Sequence, residues 1–173
     1  AAGHASSNGN GAAPADDDGY LLTAGNNDLG NALCVARRHA DKYLFADAFG
    51  WLYWEGTHWK SSTAEAQIHQ ATVETLQVRA ARGLTAGSDA LTKAAMPSAR
   101  HTRDALYHLR YMMTVPSEEF DQAPHLLNVA NGVIDLRNGE LAAHERSNRF
   151  TYCIPFEYKP GERSDLWERL LLD

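Results

Sequence analysis

Apolar and polar residues follow two periods along this chain, and the switches between them mark its elements. Leu29, Ala32, Leu33, Ala36 and Ala40 recur at helical spacing. Asn27 stands where an N-cap belongs, with Asp28 in the first turn. Arg37, Arg38 and Lys42 fall late, as the helix dipole favours. From Tyr43 to Trp59 the pattern turns aromatic and strand-like. Trp51-Leu52-Tyr53-Trp54 and Thr57-His58-Trp59 flank Glu55-Gly56, which predicts a hairpin turning at Gly56. Ser62-Thr63-Ala64-Glu65 has capping-box spacing and predicts a helix that ends at Gly83. Ile68, Thr72, Val73, Leu76 and Ala80 share one side of it.

Residues 84–96 leave two readings open, a short helix capped by Ser88 or a loop. Pro97-Ser98 opens a further helix, stopped by Pro116, with Ala99, Thr102, Leu106, Leu109 and Met113 on its core face. Two Asn-Gly pairs follow, Asn131-Gly132 and Asn138-Gly139, around an apolar run. Both residue types tolerate positive φ, so the pairs predict three short strands folded back on one another. Phe150, Tyr152, Ile154, Phe156 and Tyr158 then alternate with strand period. Pro155 cannot donate to a ladder, which makes this an edge or irregular strand.

The order predicts an α+β fold: a central group of helices, an aromatic N-terminal β-hairpin and a C-terminal antiparallel β-meander. Residues 1–19 are Ala, Gly, Ser and Asn with Asp16 to Asp18, a composition that suits a disordered linker. The expected domain covers residues 20–163. Residues 164–173 read as the start of a helix leading into something further, so the chain reads as a slice of a larger polypeptide.

Composition narrows the function. The net charge of −6 argues against a surface that is basic throughout, but leaves room for a local basic face. Cys34 and Cys153 stand far apart, and the eight histidines show no ligand spacing, so neither a disulfide framework nor a metal is expected. A reducing cytoplasm is the expected compartment. No apolar run approaches the roughly 20 residues that span a bilayer. The chain has no phosphate-loop, dinucleotide-binding or nucleophile-elbow motif. No catalytic residue is therefore assigned.

One constellation suggests binding. Arg100, Arg103, Tyr107 and Arg110 recur at i, i+3, i+7 and i+10, with Tyr111 and His108 beside them, and Arg79 and Arg82 end the preceding long helix. Basic stripes with interleaved aromatics track nucleic-acid backbones. The plain alternative is a solvated helix face partnered by Asp104 and nearby acids. Likewise Trp51, Trp54 and Trp59 suit a small aromatic core, or a stacking platform for bases or sugars.

Several of these stretches, taken in order, resemble a known family. They are Asn27-Asp28-Leu29-Gly30-Asn31-Ala32, the Trp-rich run Gly50 to Trp59, Phe120-Asp121, Leu127-Asn128-Val129-Ala130-Asn131-Gly132-Val133-Ile134-Asp135-Leu136, Gly139-Glu140-Leu141 and His144. The set is similar to the N-terminal domain of phage and plasmid primase–helicases, and poxvirus replicative primase–helicases carry a related region. The resemblance implies a superfamily 3 helicase, a hexameric ring ATPase, beyond Asp173, with a primase-type module often upstream. ATP and magnesium would belong to that motor and not to this chain. It also implies a DNA-replication role, single-stranded DNA as partner and self-association through the ring. Two alternatives stay open: a purely architectural collar, and a carbohydrate- or peptide-binding module built on the Trp hairpin.

Overall fold

The computed structural model describes residues 17–162. The expected tail before residue 17 and the expected helix start after residue 162 lie outside the described residues. Among the described residues, five α-helices and two small antiparallel sheets make up the α+β body. Helix α1 (Asp17–Thr23) begins within the stretch whose composition reads as linker, and it places Leu21 fully in the core.

Helix α2 (Asp28–His39) is capped as expected, with the Gly30 N–H donating to Asn27 Oδ1 at 2.8 Å. Its buried face differs from the expected one. Gly30, Asn31, Ala32, Cys34 and Val35 are buried, while Leu29 and Leu33 are exposed. The cause is close packing: a Cβ on Gly30 would overlap the backbone of Gly25, so the tight side of the helix turns inward.

Strands β1 (Tyr43–Ala46), β2 (Gly50–Trp54) and β3 (Trp59–Lys60) form the first sheet, in that order. Trp54 pairs with Trp59 across the expected hairpin, and Gly56 lies in its turn with φ of +107°. Helix α3 (Ala64–Thr85) starts where the capping-box spacing places it, but the box is not formed. Thr63 takes a left-handed conformation and makes no side-chain cap. The helix also runs two residues past Gly83. Ser88 caps α4 (Asp89–Ala95), which resolves the ambiguous stretch as a short helix.

Helix α5 (Ala99–Met112) buries Thr102, Ala105 and Leu109, with Met113 just beyond. Ala99 is exposed and Leu106 half-buried, so the core face is narrower than the expected one. Tyr43, Ile68, Leu76, Leu109 and Met113 meet in the main core between α2, α3, α5 and the first sheet.

Strands β4 (Leu126–Val129), β5 (Gly132–Asp135) and β6 (Glu140–Ala142) form the expected meander. The first turn differs in detail. Val129 pairs with Gly132, so Ala130 and Asn131 are the turn residues, and neither has positive φ. Asn131 instead clamps a later segment: its amide donates to Tyr158 O at 2.9 Å and its Oδ1 accepts from Tyr158 N at 2.8 Å. Gly132 is needed because a Cβ there would overlap the Ala142 carbonyl oxygen on β6. In the second turn Gly139 carries the positive φ, +75°, and Asn138 Oδ1 accepts from Glu140 N at 3.0 Å.

The alternating stretch after Phe150 is not a strand. Ile154 N donates to Asn128 O at 2.9 Å in an isolated bridge, and Pro155 follows with nothing to donate. Of the five alternating residues only Phe150 is buried. Asn128, fully buried, joins the two sheets: its amide donates to Thr57 O at 3.0 Å and Tyr152 O at 2.6 Å.

Candidate nucleic-acid interface

Ser98 starts α5 by accepting the His101 N–H at 3.1 Å. From that cap the register is set, and burial of Thr102, Ala105 and Leu109 turns the other side outward. The outer side holds Arg100, Arg103, Tyr107, Arg110 and Tyr111 together. The arginine side chains are 78, 74 and 50 % exposed in chain order. The rings of Tyr107 and Tyr111 meet edge to face at 5.3 Å, and both residues stay mostly exposed. His108 packs edge-on against Tyr107.

Two acids temper the stripe. Asp104 lies 2.9 Å from Arg103 Nη2 and 3.6 Å from Arg100 Nε. Asp47 lies 3.4 Å from Arg110 Nη2. These are exposed pairs of long side chains, worth little individually and readily exchanged for another anion. The Arg110 guanidinium also stacks over Phe45, 4.2 Å from the ring centroid, which holds it beside the first sheet.

Arg79 does not join this face. It is fully buried on α3, and its guanidinium ties down the end of α1. Nε donates to Leu21 O at 3.1 Å, Nη1 to Asn31 Oδ1 at 2.5 Å, and Nη2 to Ala24 O at 2.6 Å and Gly25 O at 2.8 Å. Burial pushes its pKa down. Arg82 is exposed, but in the last turn of α3, about 20 Å along the helix from His69 beside α5. The stripe is therefore an α5 feature alone.

The tryptophans serve packing. Trp59 is 3 % exposed, and its indole N–H donates to Arg146 O at 3.0 Å. Trp54 leans on Trp59 at 5.6 Å, and Trp51 meets Phe45 edge-on at 5.4 Å. A hairpin offering three open rings to a sugar or peptide is not what forms. Trp51, however, lines a groove between β2, α3 and α5, directly beside the stripe. Sequence reading missed this groove. Its one signal was Glu65 and His69 at i, i+4 near the start of α3, which places both on one helix face. Among the described residues no three His, Cys, Asp or Glu side chains could hold a metal, and no helix is long and apolar enough to cross a membrane.

The fold is a mixed α+β domain, and its class is shown by the family comparison. The D5 N terminal like family matches residues 32–173, and the chain belongs to that family. This is the N-terminal domain of phage and plasmid primase–helicases, which precedes a superfamily 3 helicase. No curated protein matches the chain.

Proposed function

We propose that this domain guides single-stranded DNA beside a helicase motor, with the outer face of α5 as its contact surface. The observation that supports this is the alignment of Arg100, Arg103 and Arg110 on one exposed helix face with Tyr107 and Tyr111. The arginines would neutralise phosphates and the tyrosines would stack on bases. The domain itself carries no chemistry in this reading. ATP and magnesium would act in the motor of the parent protein, whose domain order would be tether, this domain and ATPase.

The test is affinity of the chain for a labelled oligo-dT strand across a salt series. Arg100→Ala, Arg103→Ala and Arg110→Ala should each weaken binding. Each should also flatten the slope of log affinity against log salt by about 0.7 for every phosphate no longer neutralised. Unchanged binding in all three removes the stripe from consideration.

A second reading rests on a separate observation. Leu29 and Leu33, one turn apart on α2, are 45 and 37 % exposed. That face would pack against a neighbouring subunit and make the domain a collar for the ring. Sedimentation of wild type against Leu33→Asp distinguishes it, because only a collar loses self-association.

A further inference from the structure

The groove beside the stripe has chemistry of its own. It measures about 420 Å³, within the range of about 300–1,000 Å³ typical of small-molecule clefts. Its floor is apolar, with Ile68 fully buried and Leu106 half-buried. Trp51 and Tyr107 add ring surface to its walls. On the α5 side stand Arg103 and Arg110, the two stripe arginines that line it. On the α3 side stand Glu65 and His69.

This combination separates three parts of a nucleotide. Arginines suit phosphates, ring faces and an apolar floor suit a base, and a carboxylate suits the hydrogen-bonding edge of that base. An ionised carboxylate only accepts hydrogen bonds, so it favours an exocyclic amino group and disfavours a carbonyl. We infer that the groove is a nucleobase subsite, taking one unstacked base of single-stranded DNA and preferring an edge that carries an amino group. The proposal rests on the reading of α5 as a strand-binding face, and adds a base to what would otherwise be a contact with backbone alone.

The sequence could not show this site, because its walls come from three elements. Trp51, Glu65 and Tyr107 are far apart in the chain and meet only when β2, α3 and α5 pack.

The test uses the full chain with three labelled strands of equal length: oligo-dC, oligo-dT and an abasic backbone. Oligo-dC should bind about a hundredfold tighter than the abasic strand, since it gains one stacked base, worth about tenfold, and one hydrogen bond to a carboxylate, worth about tenfold again. It should bind about tenfold tighter than oligo-dT, the gain of one hydrogen bond to a charged acceptor. Ala99→Trp fills the groove from the first turn of α5 and should bring oligo-dC to the affinity of the abasic strand. Glu65→Gln, on the exposed side of α3, should erase the difference between oligo-dC and oligo-dT. Thermal melting of both variants establishes that each is folded. Equal affinity for all three strands, with a steep salt slope intact, overturns the subsite and leaves the α5 face standing. Oligo-dT binding as tightly as oligo-dC overturns the subsite as stated. No salt-dependent binding to any strand overturns both readings.

Discussion

Arg79 shows how a single residue can be misread and then matter more for it. Near the end of a long helix an arginine suits solvent and the dipole, so the sequence points it outward. Its partners are three backbone carbonyls and one side-chain amide, 48 to 58 positions away. Carbonyls are the same at every residue, so no sequence pattern announces them. Arg79→Met should lower stability by about 3 kcal/mol in urea unfolding, because several buried acceptors are left without a charged donor at once. Arg79→Lys should recover little of it, since one ammonium cannot reproduce the planar fork. Gly132 matters for the space it leaves on β6 rather than for the turn that an Asn-Gly pair announces. Gly132→Ala should cost about 2 kcal/mol, through the clash with Ala142 O and the strained φ of +155°. Asn131→Gly should keep the turn but loosen the segment around Tyr158, which limited proteolysis would detect.

Elements with strong local signals were legible. The Asn27 and Ser98 caps, the Trp hairpin and the meander all stand where residues alone place them, while the Ser88 cap is one of two readings that the residues leave open. Faces were less legible, because burial is decided by neighbours. On α2, Leu29 and Leu33 yield the inner side to Gly30, Asn31 and Val35, which allow closer approach. The Trp hairpin has a further property that periodicity does not reveal. His58 sits in it against Thr57, Glu55 and Lys60, with His144, two residues past β6, nearby. Burial is the main cause that pushes its pKa below the ordinary 6.5; Lys60 and His144 add to this and Glu55 opposes it. The unfolded chain therefore binds a proton at His58 more readily than the folded one. Stability is complete above the ordinary value and falls as pH drops from there through the lower folded value. His58→Gln should flatten that part of the stability profile measured by urea unfolding between pH 7 and 5. A wild-type profile with no slope over that range would contradict the assignment.

At the scale of the whole molecule, the acidic balance and the basic stripe have to be reconciled. The chain carries a net charge of −6, so its long-range field repels nucleic acid. Within about a Debye length, roughly 10 Å at 0.1 M salt, the local arrangement decides instead. There Asp47 and Asp104 each hold stripe arginines that a phosphate would have to win over. This makes the two acids the adjustable part of the surface. Asp47→Asn and Asp104→Asn together free all three arginines without adding a positive charge. If α5 guides a strand, the double variant should bind oligo-dT several-fold tighter at low salt, since each exposed pair is worth about 0.2–1 kcal/mol. The gain should shrink as salt rises, because screening weakens what the acids had opposed. If the domain is only a collar, the same variant should leave strand affinity unchanged, while Leu33→Asp alone alters its sedimentation. The stripe and the Leu33 face sit on different helices, so one set of binding and sedimentation curves assigns a role to each face separately.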